Sequence, residues 1–485
     1  MEDEETLQQL CNSILEGRCV AFVGAGFSAP GVATWSELLD NLAKRSGDKK
    51  LASEVHRRLF EDKRATPALE FEGLAQTIRE AFDSAHSETV DQSARAAITI
   101  EEMRARETAR KKACDAVWEG AIKECLKKSG DETTGKKTVD ERVELLKKIP
   151  FRAILTTNFD DFLEGEEPTS ELYRTILRGE HPWWNRNDTP REGRGLPRAP
   201  VVKLHGDADG DPTRNPVVLH RSMYRERLYS DPRYATFVRS VFAQYDVLFL
   251  GVSFTDAYLN ELRSEVLNML YREGQPKQAS PWGYAVLADP TRTWMQFLRD
   301  HEGIATLPYP AANHHAAFKP IIQNIVDRTS MSAVLKPHLE GEGAVLWVDP
   351  NADNNREGQK FFGDVGVKVV LKDKVSDATD DELRRARLIL VCSRDPEVKD
   401  RSHLHAVMQR LHRAGSEGEA HLAADHRKHP PVVVFASRRN ANRRAEAISL
   451  GAWEYTTGWL ELYQVLRRLF NRYPMADPPA KGARP

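Results

Sequence analysis

The chain has little cysteine and no long apolar run. Its 485 residues include five cysteines, and no two of them form a C-x-x-C pair. This pattern implies neither a zinc ribbon nor a disulfide framework, and it is typical of a reducing compartment. Because no apolar run reaches about 18 residues, the sequence predicts no membrane span. The first residues are acidic where a secretory signal is basic, so we expect a cytoplasmic protein.

The chain also lacks an excess of charge of either sign. Its formal net charge is −2, although 29% of its residues are charged. This balance argues against a protein that coats nucleic acid through its net charge. Hydrophobic residues make up 40% of the chain, an ordinary value for a folded protein. At about 150 residues per domain, the length suggests roughly three domains.

Short, nearly continuous apolar runs recur through the first two thirds of the chain. They are rich in Val, Ile and Leu, and they lie at 19–23, 153–155, 201–204, 247–250 and 284–287. Such runs are typical of parallel strands that are covered on both faces, which predicts an α/β fold. Two stretches interrupt the pattern. Residues 60–145 are charged and helical in character, and residues 165–200 are polar and rich in Pro, Arg and Gly, which predicts a helical insertion and a surface insertion.

A second series of strand-like runs begins near residue 343. The runs lie at 344–348, 367–371, 388–391, 432–435 and 453–455, and helical patterns separate them. Five strands and several crossing helices in about 130 residues predict a smaller doubly wound α/β domain. We therefore predict a first domain over 1–335, a second over 343–473 and a flexible tail over 474–485.

A glycine-rich loop follows the first strand directly. The spacing Gly24-x-Gly26-x-x-Ala29 matches the dinucleotide-binding pattern. Gly24 suits a tight turn, and Gly26 allows a pyrophosphate to approach the backbone. A plain turn between strand and helix, with no ligand, is the alternative. No strand with an acidic end follows about twenty residues later, which disfavours a simple NAD-dependent dehydrogenase.

Three further predicted strands also end in polar clusters. They run into Thr156-Thr157-Asn158-Phe159-Asp160-Asp161, His205-Gly206-Asp207 and Gly251-Val252-Ser253-Phe254-Thr255-Asp256. Because the carboxyl ends of parallel strands share one edge, four such endings predict a single functional site. Each residue taken alone has a simpler explanation: a buried His205 is often only a satisfied hydrogen-bonding group, and Asp256 suits a helix N-cap.

Taken in order, these four motifs resemble the signature of the sirtuin superfamily over about residues 10–325. The segments 31–39, 156–161 and 250–256 resemble its divergent bacterial branch, which is found in anti-phage defence proteins. In the second domain, Val345-Leu-Trp-Val-Asp349 resembles the first strand and acidic loop of a response-regulator receiver. The resemblances imply a sirtuin-like Rossmann-type parallel sheet followed by a flavodoxin-like, receiver-like domain.

The sirtuin resemblance also implies roles for the matching residues. Asn158 would lie near the nicotinamide ribose and help to place a nucleophile, and His205 would be the catalytic histidine that faces the ribose hydroxyls. Asp160 would contact the nicotinamide amide. The other matches would bind the dinucleotide: Gly24, Ala25, Gly26 and Ser28 around its phosphates, and Gly251 and Ser253 near the adenosine-side ribose.

One departure from the family is informative. Sirtuin deacylases carry a zinc module built from two C-x-x-C pairs, and this chain has no such pair. We therefore expect no zinc or other metal, and we favour NAD as a substrate that is hydrolysed to ADP-ribose and nicotinamide. Three alternatives stay open: an NAD or ADP-ribose sensor without turnover, an ADP-ribosyl transferase, and a deacylase.

The receiver-like domain departs from its family as well. The third strand ends in Cys392-Ser393 where a receiver has its phosphorylated aspartate, and Thr456 and Thr457 stand near the position of the expected lysine. We therefore expect a pseudo-receiver that serves assembly, regulation or ligand sensing; a packing domain is the alternative.

Besides NAD, the expected partners of the chain are further copies of itself and an activating protein or nucleic-acid-associated partner. We expect no association with a membrane.

Overall fold

The structure is a computed structural model of the chain. It describes residues 2–472 except for 63–67, 92–99, 128–131, 164–169, 179–198, 211–215, 255–256, 271–280, 342, 351, 394–401, 416–428, 437–440 and 458. Most of the predicted surface insertion, the predicted tail and Asp256 therefore lie outside the described residues. The chain divides into two units, and the first consists of Met1–Lys147, Phe151–Glu180 and Ala199–Gln323. The predicted domain boundaries stay predictions.

A parallel sheet forms the centre of the first unit. Its strands are β1 (Cys19–Val23), β2 (Ile154–Thr156), β3 (Val201–Lys203), β4 (Asp246–Leu250), β5 (Gly283–Ala288) and β6 (Ile304–Tyr309). Their order is β3-β2-β1-β4-β5-β6, and every neighbouring pair is parallel. This is the Rossmann-type order, which reverses direction between β1 and β4. The predicted α/β fold with a parallel sheet is confirmed.

Helices accompany this sheet. They are α1 (Glu2–Leu15), α2 (Ala25–Ser28), α3 (Trp35–Arg45), α4 (Lys49–His56), α5 (Ala68–Asp91), α6 (Ile100–Leu126), α7 (Glu132–Leu146), α8 (Ser170–Arg178), α9 (Arg221–Ser230), α10 (Pro232–Gln244), α11 (Ala257–Leu270), α12 (Arg292–Glu302), α13 (Ala312–His315) and α14 (Phe318–Thr329). A π-helical turn, Arg57–Glu61, follows α4. Because helices and sheet pack together, apolar side chains of β1 and β4 form one core with those of α10.

A capping box fixes the start of α3. The Thr34 hydroxyl accepts a hydrogen bond from the Glu37 amide at 3.3 Å, and the Glu37 carboxylate accepts one from the Thr34 amide at 2.7 Å. The Thr-x-x-Glu spacing in the sequence predicts this pairing. It fixes the position of Trp35, the first residue of the helix.

The described part of residues 60–145 is largely helical. Helices α5 and α6 pack against α3 around Trp118, which is fully buried and meets Phe82 edge-on at 5.2 Å between ring centroids. Arg79 of α5 pairs with Asp83 and Asp115 at the border of this core. These helices therefore share a hydrophobic core with α3 of the sheet-bearing unit.

The second unit, mainly Asn324–Pro485, is a smaller parallel α/β unit. Its strands are β7 (Val345–Val348), β8 (Val369–Lys372), β9 (Leu388–Ser393), β10 (Val432–Ala436) and β11 (Glu454–Thr456). Its helices are α15 (Met331–Leu339), α16 (Ala352–Asp364), α17 (Asp380–Arg385), α18 (Ser402–Gly415), α19 (Ala441–Ser449) and α20 (Trp459–Arg472), with a 3-10 turn at Val375–Asp377. The order β11-β10-β9-β7-β8 is the second common order of doubly wound sheets.

Candidate functional site

A cavity of about 970 Å³ lies at the carboxyl edge of the six-stranded sheet. All six strands contribute to its wall through residues at or just after their ends, namely Gly24, Thr157, His205, Gly251, Ala288 and Tyr309. The ends of β1 and β4 mark the point where the strand order reverses, and doubly wound sheets bind ligands at that point. The volume is at the upper end of the range for ligand pockets, so a dinucleotide-sized molecule is a suitable occupant.

Two glycine loops meet in this wall. The Gly24 amide donates a hydrogen bond to the Leu250 carbonyl, and the Gly26 amide donates one to the Gly251 carbonyl, both at 2.9 Å. A Cβ atom on Gly24 would lie 2.7 Å from the Gly251 oxygen, and one on Gly26 would lie 2.9 Å from it. The close approach of two backbones is therefore a sufficient reason for both glycines. Their predicted contact with phosphates stays a prediction.

Asn158 is held by the glycine loop. Its side-chain nitrogen Nδ2 donates to the Gly24 carbonyl at 3.2 Å and to the Ser28 hydroxyl at 3.1 Å, and its backbone amide donates to Thr156. Because a carbonyl only accepts, the bond to Gly24 fixes which side-chain atom is the nitrogen. The side chain is 4% exposed, and its Oδ1 has no hydrogen-bond partner among the described residues. A buried acceptor without a donor costs about 1–3 kcal/mol, so this oxygen is suited to a donor supplied by a ligand or a water.

Ser28 lies beside both Asn158 and Asp160. Its hydroxyl accepts a hydrogen bond from Asn158 and acts to lower the pKa of Asp160. Burial raises the pKa of Asp160, while the Ser28 hydroxyl, the positive charge of Lys203 and the Phe162 amide act to lower it. Lys203 is itself buried; its Nζ donates to the Asp160 carbonyl at 2.6 Å and pairs with Asp207 at 2.9 Å. The motifs after β2 and β3 are thus joined by hydrogen bonds.

His205 lies in the cavity wall and is 2% exposed. Its Nδ1 hydrogen-bonds the Tyr224 hydroxyl at 3.3 Å. Burial, and then the positive charge of Arg227, lower the pKa of His205 to about 3. The imidazole is therefore neutral at pH 7 and a weak base, whereas a general base works best with a pKa near the working pH. Gly206 turns the chain after it with φ of +88°.

The predicted site residues separate into two groups. Six of them line the cavity: Gly24, Ala25, Gly26, His205, Gly251 and Ser253. The other three, Ser28, Asn158 and Asp160, are buried, and Asn158 bonds the Gly24 carbonyl of the wall. Within the described residues, no three His, Cys, Asp or Glu side chains form a group that could hold a metal ion. Of the helices that the structure describes, none is long and apolar enough to cross a bilayer.

The wall also contains residues that the sequence motifs do not indicate. They come mainly from α3, α5, α7, α9 and the end of β6, and they include Trp35, Phe71, Glu72, Thr138, Arg142, Tyr224 and Tyr309. Helices α5 and α7 carry no recognisable motif, and only tertiary packing brings them to the sheet edge. The aromatic and aliphatic part of this wall suits flat heterocyclic rings.

The buried imidazole predicts that the protein becomes less stable in acid. His205 has an ordinary pKa of 6.5 in the unfolded chain and about 3 in the fold, so protons bind the unfolded state first as the pH falls. The contribution of neutral His205 to the free energy of unfolding is complete above pH 6.5 and is lost towards pH 3. Each pH unit in this window is worth about 1.4 kcal/mol, which gives a loss of about 2 kcal/mol between pH 7 and pH 5.

Urea unfolding at pH 7 and pH 5 measures this loss. Over the same interval, the free energy of unfolding of His205→Gln should fall by about 2 kcal/mol less than that of the parent protein. His220, whose pKa is lowered to about 4 by burial, titrates in both proteins and so does not affect the difference. Equal losses in the two proteins would show that His205 is not held in its neutral form by the fold.

Comparison with known proteins gives one family match. A family model described as a SIR2-like domain matches residues 152–303, about a third of the chain. The match contains Asn158, Asp160, His205, Gly251 and Ser253, but it excludes the glycine loop after β1. No curated protein matches the chain significantly. SIR2-like domains bind NAD, so the match supports a sirtuin-like family and is consistent with an NAD-dependent enzyme.

Proposed function

We propose that the first unit hydrolyses NAD to ADP-ribose and nicotinamide. The observation that carries the proposal is the fixed orientation of Asn158. Gly24 and Ser28 hold its nitrogen, so its neutral oxygen is the atom left for a water or a ribose hydroxyl. The cavity that Gly24 and His205 line is large enough for a dinucleotide. The SIR2-like match over residues 152–303 supports NAD as the molecule that binds there.

The proposed reaction balances without any other reactant. A water oxygen forms a bond to the anomeric carbon of the nicotinamide ribose, and the bond from that carbon to the nicotinamide nitrogen breaks. Nicotinamide leaves with the bonding electron pair, and one proton from the water passes to solvent. Positive charge develops on the ribose during bond breaking, as in other glycosyl transfers. A neutral amide oxygen such as Asn158 Oδ1 accepts a hydrogen bond from the water without adding a full charge.

His205 suits a supporting role in this reaction. Since burial keeps its imidazole neutral, it adds no positive charge beside a ribose that is itself becoming positive. Its hydrogen bond to Tyr224 fixes the orientation of the ring in the wall. We propose that it binds the ribose hydroxyls.

The test is to incubate the full chain with NAD in water enriched in oxygen-18 and to separate the products. We expect equal amounts of nicotinamide and ADP-ribose, with one heavy oxygen in the ADP-ribose. Release of nicotinamide without labelled free ADP-ribose would instead indicate transfer to another acceptor. NAD consumption that requires an acetylated peptide would indicate deacylation. Either of these results would refute hydrolysis.

A sensor without turnover is the second candidate function. The low pKa of His205 favours it, because a weak base contributes little to proton transfer. A sensor would bind NAD or ADP-ribose and leave NAD intact in the labelled-water experiment, whereas a hydrolase would consume it. Calorimetric titration of the same preparation with ADP-ribose would then show binding without reaction.

The finer assignments are proposals that rest on sequence resemblance. We propose that the second unit is a receiver-like domain that has lost phosphorylation; the strand order 2-1-3-4-5 of its own strands supports this. We also propose that the chain is cytoplasmic, forms homo-oligomers and depletes NAD in anti-phage defence when an activating protein or nucleic-acid-associated partner switches it on. Uncontrolled loss of NAD harms a cell, and this favours regulation by a second unit.

A further inference from the structure

Arg142 is a buried cation in the cavity wall. It lies near the end of α7, its side chain is 3% exposed, and it lines the cavity. One terminal nitrogen, Nη1, donates to the Phe27 carbonyl at 2.8 Å, and the guanidinium lies 4.8 Å from the centroid of the Phe318 ring. Its Nε is buried and has no hydrogen-bond partner among the described residues.

Two other buried arginines of this unit have carboxylate partners. Arg79 pairs with Asp83 and Asp115, and Arg263 pairs with Glu302. No carboxylate of the described chain forms an ion pair with Arg142. Burial lowers its pKa, yet a guanidinium stays charged at any physiological pH. A buried charge without a counter-charge is costly, so this position is suited to an anion that arrives with a ligand.

The neighbours of Arg142 in the wall are neutral and polar. Thr138 and Thr134 precede it by one and two helical turns on the same face of α7, and both line the cavity. Tyr309, at the end of β6, also lines it, and the positive charge of Arg142 acts to lower the raised pKa of that phenol. The Thr138 hydroxyl donates to the Thr134 carbonyl at 3.0 Å, and the Tyr309 hydroxyl bonds the His315 ring nitrogen Nδ1 at 3.1 Å. The guanidinium is therefore the donor in this part of the wall that matches phosphate oxygens.

We propose that Arg142 forms a subsite that binds a phosphate group of the ligand in this cavity. The identification of that ligand as a dinucleotide rests on the proposed function, whereas the preference for an anion rests on Arg142 alone. Among the described residues the guanidinium makes one hydrogen bond, from Nη1 to the Phe27 carbonyl, so its other terminal nitrogen can donate to phosphate oxygens. The subsite lies on α7, outside the segment that the SIR2-like family model matches.

The test compares ADP-ribose, which carries a diphosphate, with adenosine, which carries none. Isothermal titration of Arg142→Met should show at least about 10-fold weaker binding of ADP-ribose than the parent shows, with adenosine binding unchanged. Lys137→Met is the matched control: it removes one positive charge from an exposed position on the same helix, so both ligands should bind as they do to the parent.

The outcomes separate this subsite from the proposed function. If the parent cleaves NAD and Arg142→Met binds ADP-ribose as tightly as the parent, the subsite is refuted and the hydrolase stands. If NAD is not cleaved but ADP-ribose binding depends on Arg142, the hydrolase is refuted and the subsite stands. If the parent does not bind ADP-ribose, the subsite is refuted, and NAD cleavage in labelled water alone decides the hydrolase.

Thermal unfolding without ligand distinguishes a binding role from a structural one. Replacing an unpaired buried charge by an apolar side chain of similar length should leave the melting temperature unchanged or raise it. A lower melting temperature together with equal weakening of ADP-ribose and adenosine binding would assign Arg142 to packing alone. Should Arg142→Met fail to fold, Arg142→Lys keeps the charge but loses the planar fork, and it should still bind ADP-ribose at least about fivefold more weakly, with adenosine unchanged.

Discussion

Asn158→Ala should reduce the rate of NAD cleavage by about 10²–10³-fold, the usual cost of removing one hydrogen-bonding group that acts on the transition state. The substitution removes the oxygen that has no partner in the protein. It also removes the donor to Gly24 and Ser28, so two further acceptors lose a hydrogen bond. Initial rates of nicotinamide release at saturating NAD measure the effect.

Asp161→Ala is the matched control for this variant. Asp161 belongs to the same motif after β2, but it is exposed, so its removal should leave the rate within about twofold of the parent. A second variant, Asn158→Asp, keeps an acceptor but places a carboxylate in a buried position, and it should be as slow as Asn158→Ala. If Asn158→Ala cleaves NAD at the rate of Asp161→Ala, the proposed role of Asn158 is wrong.

Gly251→Ala should destabilise the first unit by about 3–4 kcal/mol. Gly251 adopts φ of +65°, a conformation that costs an ordinary residue about 1–2 kcal/mol. An added Cβ would also collide with the Phe27 amide nitrogen and lie 2.7 Å from the carbonyl carbon of Gly26. The two loops would have to separate, and the two backbone hydrogen bonds between them would be lost at about 1 kcal/mol each.

Gly47→Ala provides the control for backbone conformation. Gly47 has φ of +82°, but nothing lies within 4 Å of the Cβ it would carry. Gly47→Ala should therefore lower the free energy of unfolding only through the unfavourable backbone conformation, by about 1–2 kcal/mol. Urea unfolding followed by circular dichroism measures both variants. Equal costs at the two positions would mean that the close approach of the loops does not explain the glycine at 251.

The sequence predicts most of the first sheet because its strands are buried runs. Cys19–Val23 has the predicted bounds, and four further strands lie within a residue or two of theirs. The strand Ile304–Tyr309 is absent from the prediction. It is an edge strand, only partly buried, and it contains Pro308, which a central strand would not tolerate. The apolar pattern of the sequence therefore identifies strands that are covered on both faces more readily than a half-exposed edge strand.

The site was predictable where residues follow strands and not where helices contribute. The ends of parallel strands share one edge, so a motif after a strand indicates the position of its side chains. Arg142 lies instead on a helix that packs beside the loop after β1, where Gly135 approaches the Pro30 carbonyl too closely for a side chain. One signal was present: Arg142 lies on the same apolar face of α7 as the buried Val139 and Leu146.

The position of β1 determines how far this unit can be shortened. The family match begins at residue 152, yet β1 lies between β2 and β4 in the sheet. An excised fragment of residues 152–303 would keep the pairs β3-β2 and β4-β5 without the strand that joins them. Neighbouring strands lie about 4.8 Å apart, so the gap would be about 10 Å wide and would expose two unpaired edges. Such a fragment should aggregate, and expression boundaries for this unit should therefore begin before Cys19.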